Sequence, residues 1–169
     1  MTSQILNYRP CGEGASRKLA PLSSFVSVLT GRGNIYMFEY HGWMTIREQP
    51  YFVEDEKIGE VIKKIKSYVS RLNWNNGVLD IFVANTHYYL LVTGYKNRNT
   101  TESDILDFLN FIAKVAPGSY GLFHLFDDED KNGKDNKFRV LVLKRGAIVE
   151  HEDTFLSPFI PEVEDEYSD

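Results

Sequence analysis

The chain has a single cysteine, Cys11, among its 169 residues. One thiol forms no internal disulfide and gives a zinc site no second sulfur, so neither a disulfide-stapled secreted fold nor a cysteine-ligated metal centre fits. Long apolar runs are also lacking. No window approaches the length that spans a bilayer, and the N-terminus has no basic, apolar and small-residue signal pattern. The expectation is a cytoplasmic protein. There is no excess of positive charge either: the formal charge is −5, and residues 1–36 carry +3, which leaves −8 on residues 37–169. An acidic surface repels nucleic acid and steers basic partners towards it. Direct DNA or RNA binding is disfavoured, and so is an RNA-binding sheet, whose stacking aromatics come with a basic Lys/Arg-Gly-aromatic motif that is missing here.

What is present is enough apolar content, 43%, for one core. Residues 1–34 mix Pro10, Gly12, Gly14 and Pro21 with small polar residues and show no sustained period. They read as a disordered leader or as residues upstream of a true start at Met37. Residues 35–156 read as one α+β domain and residues 157–169 as an acidic tail. Ile35–Ile46 has β-branched and aromatic character and reads as a strand, with Gly42 a bulge or a point of close approach, and Pro50 ends it. From Asp55, the residues Ile58, Val61, Ile62, Ile65, Val69 and Leu72 recur at helical spacing. Val78–Ala84 and His87–Thr93 flank Asn85-Thr86 as a hairpin. A second helix starts near Thr101, where Thr101-Glu-Ser-Asp104 resembles a capping box, and Pro117-Gly118 stops it. Tyr120–Phe126 and Phe138–Leu143 read as further strands around a polar turn, with a short strand at Ala147–Val149. The result is an antiparallel sheet of about five strands with two helices on one face, in the ferredoxin-like order β-α-β-β-α-β plus an added strand.

Few constellations carry chemistry. Asp128, Asp130, Asn132 and Gly133 match the start of a calcium loop, but Arg139 stands where its bidentate carboxylate belongs and the flanks are strands. No metal and no cofactor is expected. The four histidines have no helical ligand spacing, although His41 and His124 lie on strands that could be neighbours. There is no nucleophile elbow and no phosphate loop, so no catalytic residue is assigned. The aromatics Tyr36, Phe38, Tyr40, Tyr88, Tyr89, Tyr120, Phe123 and Phe126 read as alternate core residues. Trp43 stands apart, because tryptophan so often anchors partner interfaces. Its alternative is packing on the first helix. Glu150–Asp169 holds eight acids and no Lys or Arg, interrupted by Phe155-Leu-Ser-Pro-Phe-Ile-Pro, which could dock on the domain or on a partner.

Two stretches resemble a known family. Met37-Phe-Glu-Tyr-His-Gly-Trp-Met-Thr-Ile-Arg47 and Gly118-Ser-Tyr-Gly-Leu-Phe-His-Leu-Phe-Asp-Asp-Glu-Asp130 are similar to the Immunity protein 7 family of bacterial polymorphic-toxin systems, over about Met37 to Phe155. The resemblance implies an antidote that binds the C-terminal domain of a secreted toxin encoded beside it. The acidic surface would suit the cationic face of a nuclease. The candidate partner contacts are Trp43, the ridge Asp127, Asp128, Glu129 and Asp130, and the tail acids Glu150, Glu152 and Asp153. Two other classes stay open. One is a small enzyme using His41 or His124 with a neighbouring carboxylate as acid and base, which predicts a pocket holding both. The other is a small-molecule regulatory module, which predicts an uncovered apolar cavity.

Overall fold

Alternation along β1 (Phe38–Ile46) sets the architecture: Phe38, Tyr40, Met44 and Ile46 are buried on one side, while Glu39, His41 and Trp43 point to the other. The computed structural model describes residues 37–51, 54–72, 74, 77–97 and 101–166, so the expectations for residues 1–36 and for the last residues of the tail lie outside it. Gly42 is in the inward set and pairs across the ladder with Phe123. A Cβ on it would lie 2.2 Å from the Phe123 ring, so the glycine admits the ring over the strand. The ladder runs through Gly42 without a break, which makes it a close approach and not a bulge.

β1 leads through a bend to α1 (Ile58–Val69). The helix begins later than Asp55, because Asp55 is committed elsewhere: its carboxylate accepts from Arg47 Nε and from the Glu48 backbone N–H, both at 3.1 Å. Lys57, at the N-cap, has no capping side chain of its own, and its N–H instead donates to Glu48 Oε2 at 2.7 Å. The hairpin of β2 (Val78–Ala84) and β3 (His87–Lys96) turns through Asn85 and Thr86, whose φ values of 48° and 67° match a type I′ turn. α2 (Glu102–Val115) follows. Thr101 is its N-cap, yet the capping box expected there does not form. The Thr101 hydroxyl is buried without a hydrogen-bond partner among the described residues. Glu102, next to the cap, ties the first turn to Arg139 instead, with Nη1 donating to its Oε1 at 2.8 Å.

β4 (Tyr120–Asp127), β5 (Arg139–Lys144) and β6 (Ala147–Glu152) complete an antiparallel sheet in the order β2-β3-β1-β4-β5-β6. Each helical crossover skips one place: β3 lies between β1 and β2, and β1 lies between β3 and β4. The expectation of about five strands and two helices needs correction, since there are six strands and a third short helix, α3 (Phe159–Glu162), so the ferredoxin-like order is not matched in full. The sixth strand is long because Arg145 and Gly146 take φ of 50° and 69°, closing a tight hairpin that pairs from Lys144↔Ala147 out to Arg139↔Glu152.

One core fills the space between the helices and the inner face of the sheet, with Ile65, Phe108, Leu109 and Ile112 against Tyr40, Val92, Phe123 and Leu141. Tyr68 stacks on Phe108 and Phe111, at 5.6 and 4.5 Å between centroids, and joins the helices to each other. Burying this apolar surface is the main stabilising contribution. The segment after β6 crosses the other side of the sheet at one end. Phe159 packs on Phe126 (4.4 Å) and Phe138 (6.0 Å) there, and Asn136 brackets Ile160 with both groups of its side-chain amide, at 2.8 and 3.1 Å. The apolar interruption of the tail therefore docks on the domain through Phe159, while Phe155 is 87% exposed.

Candidate partner-binding face

Because α1 and α2 cover one side of the sheet, the alternate residues of every strand meet solvent on the other. Cross-strand register assembles them: Trp43 faces Leu91 on β3 and Leu122 on β4, Leu91 faces Asp80 on β2, and Leu122 faces Val142 on β5. Trp43 and Tyr120 are each 48% exposed and meet edge to face, with centroids 6.5 Å apart. Phe82 and Tyr89 stack at 5.6 Å beside them, and Leu91 and Val149 are also exposed. A contiguous exposed apolar surface on a soluble domain marks an interaction site more often than chance does. Trp43 thus projects away from the first helix. The aromatics read as core are divided: Tyr40 and Phe123 lie under the helices, and Tyr120 lies on the open face.

The histidines come together in part. His41 and His124 are direct partners in the β1–β4 ladder, and His151 faces Val140, which faces His124, so all three share one row of the open face. His41 lies 2.5 Å from Glu39 Oε1 and 2.7 Å from Thr93 Oγ1, and His124 Nδ1 lies 3.1 Å from Asp153 Oδ2. His41 and His124 each have a carboxylate neighbour, as the enzyme reading requires. Of the four clefts described for the domain, none is lined by His41 or His124. The largest, about 500 Å³, lies between the start of α1 and the β2–β3 turn, lined by Ile46, Arg47, Asp55, Ile58, His87 and Tyr88. Among the described residues, no group of His, Cys, Asp and Glu is placed to hold a metal ion.

The carboxylates fall into two sets. Asp127 and Asp153 are buried and engaged within the chain. Asp127 Oδ1 accepts from the Glu129 N–H at 3.1 Å, and Asp153 Oδ1 accepts from the Phe155 and Leu156 N–H groups at 2.7 and 3.2 Å. Neither stands on the surface as a partner-facing acid, because each caps the turn that follows its strand. Asp128 joins the loop to β1, its Oδ1 accepting from the Met37 N–H at 2.7 Å. Glu129 and Asp130 are half-buried. Glu150 and Glu152 are exposed, but they pair with Lys134 and, at 3.2 Å, with Lys137. The tail acids Glu150 and Glu152 are thus each paired with a lysine of the β4–β5 turn.

Arg139 is buried and lies between Glu102 at 2.8 Å and Glu150 at 3.8 Å. Burial by itself would lower the guanidinium pKa, but the hydrogen bond and charge of Glu102, with the charges of Glu150 and Asp130, outweigh it and leave the pKa raised.

Sequence reasoning missed a cationic rim. A shallow cleft of about 340 Å³ beside Tyr120 is lined by Arg47, Tyr51, Lys144 and Arg145, and neither Lys144 nor Arg145 has a carboxylate partner among the described residues. The signal available was Lys144-Arg145-Gly146, a basic turn at the end of a strand whose alternate residues share the Trp43 face. No helix among the described residues is long and apolar enough to cross a membrane.

No curated protein and no solved structure matches the chain. The model of the family described as Immunity protein 7 matches residues 37–165, which takes in all six strands, both long helices and the docked α3. The chain belongs to the Immunity protein 7 family and is, on that ground, an immunity protein of polymorphic-toxin systems.

Proposed function

We propose that this protein acts in the cytoplasm of the toxin-producing cell, where it binds the C-terminal toxic domain of a cognate secreted protein and neutralises it by occupying its surface. The observation that carries this reading is the open face of the sheet, where Trp43 and Tyr120 form an exposed aromatic pair within an apolar surface that nothing in the described domain covers. Aromatic side chains placed centrally in such a surface supply most of the binding energy in many complexes. The acids Asp128, Glu129 and Asp130 after β4, and Glu150 and Glu152 on the helix side of the edge strand β6, contribute long-range attraction to a cationic toxin such as a nuclease, raising the association rate more than the affinity. Asp127 acts indirectly by holding the turn that carries Glu129, and Asp153 by holding the turn at Phe155 and Leu156.

The test is co-expression with the C-terminal domain of the secreted protein encoded beside this gene, scoring growth and co-purification together. Rescue with a stable complex is expected from the native chain and loss of both from Trp43→Ala. Rescue and complex formation that survive Trp43→Ala and Tyr120→Ala together would remove the open face from the interface. Absence of any rescue by the native chain would remove the toxin.

A further inference from the structure

The two edges of the sheet are unequally protected. β6 carries Glu150, His151 and Glu152, with Lys134 and Lys137 alongside, and an edge charged in this way resists the addition of another strand. β2, the opposite edge, reads Val-Leu-Asp-Ile-Phe-Val-Ala, and Val78 and Val83 are 48% and 56% exposed. It contains no proline and one charge, and no strand flanks its outer side among the described residues. Strands of this type are templates for pairing. Charge favours this place over the rest of the domain: β2 and β3 together carry one acid and one base, Asp80 and Lys96, within residues that carry −8 overall.

We propose that β2 pairs antiparallel with β2 of a second copy of this chain, so that two six-stranded sheets join into one. The register follows from the side chains. Facing residues in an antiparallel ladder share a face of the sheet, so a two-fold arrangement sets even-numbered positions against even ones and odd against odd. Centring on Asp80 would bring two carboxylates directly opposite each other, which is unfavourable. Centring on Phe82 leaves Val78 and Leu79 without partners. Centring on Ile81 pairs all seven residues, with Asp80 opposite Phe82, Leu79 opposite Val83 and Val78 opposite Ala84. Both exposed valines are then covered by an apolar neighbour. The two open faces point the same way, so the dimer presents Trp43 twice. A single strand pair is a small interface, and a dissociation constant on the order of 1–100 µM is expected. This inference stands apart from toxin binding and needs no toxin for its test.

Sedimentation of the full chain alone over a concentration series provides that test, together with cysteine cross-linking in a Cys11→Ser background. The expected result is a mass rising with concentration from 19.5 kDa towards twice that value. Val83→Lys should remain a monomer with an unchanged melting curve, and Val78→Lys replaces it if Val83→Lys unfolds. Ile81→Cys, which meets its own copy at the two-fold axis, should form a disulfide dimer under mild oxidation, whereas Asp80→Cys should not. A native chain that stays monomeric throughout overturns the proposal. So does a dimer that persists in both lysine variants, or Asp80→Cys cross-linking as readily as Ile81→Cys. A monomer whose toxin capture is lost in Val83→Lys overturns self-pairing as well, and assigns the edge to a toxin strand.

Discussion

Trp43 and Tyr120 lie on adjacent strands with their ring planes 89° apart, and both are half-exposed on the side of the sheet that the helices leave bare. An edge-to-face pair of this kind adds about 0.5–1.5 kcal/mol to folding. Trp43→Ala should therefore lower stability by about 1 kcal/mol and leave the fold intact. Its effect on toxin binding should be larger, about 2 kcal/mol or more, which is roughly a 30-fold weakening. Urea unfolding beside a binding titration separates the two, and equal losses in both would show Trp43 to be structural.

Two glycine-to-alanine changes should act in opposite directions. At Gly42 the new methyl group would meet the Phe123 ring at 2.2 to 2.6 Å, so Gly42→Ala should destabilise by about 1–3 kcal/mol through overpacking. At Gly59, in the first turn of α1, nothing lies within 4 Å of the new atom. Gly59→Ala should stabilise by about 0.5–1 kcal/mol, since alanine loses less backbone freedom in a helix. Denaturant midpoints of the two variants would settle both signs.

Arg139 and Glu102 join β5 to the first turn of α2. Removing the acid leaves a buried cation short of its nearest counter-charge, so Glu102→Gln should cost about 2–3 kcal/mol. Arg139→Met should cost less, because the carboxylate left behind reaches water more easily than the guanidinium does. Thermal melts of the two single variants provide the comparison, and the opposite order would contradict the electrostatic account of this pair.

Tyr40 is buried and its phenol pKa is raised above 10.0 by desolvation. The folded protein then holds this proton at pH values where the unfolded chain releases it. The stabilisation is complete below about pH 10 and is lost as the pH rises through the folded pKa. Stability measured across that alkaline range should fall, and Tyr40→Phe should flatten the fall. An unchanged slope in the variant would place its origin elsewhere.

Much of the secondary structure was legible in the sequence, because period and punctuation agree at α1, α2 and the β2–β3 hairpin. Trp43 was legible as an outlier, and alternation from Phe38 to Ile46 already set it opposite Tyr40 and Met44. The rest depends on contacts distant in sequence. Asp127 and Asp153 look like their acidic neighbours, yet they are caps, which only the loops folded over them reveal. The expected Thr101–Asp104 capping box does not form, and the neighbouring Glu102 binds an arginine on β5 that no local pattern announces. The aromatics read as core divide between two faces, since a sheet covered on one side alone buries only half of its alternating residues.

β1 lies between β3 and β4. The ribosome makes it before both of the strands that hold it, and Trp43 gains its cross-strand neighbour Leu122 only when β4 is in place. Contacts so far apart in the chain form late and together. Nascent or truncated chains therefore lack a finished open face, and on the function proposed above, protection would begin only with the completed protein, at a delay after the start of translation that a toxin translated alongside it would have to share.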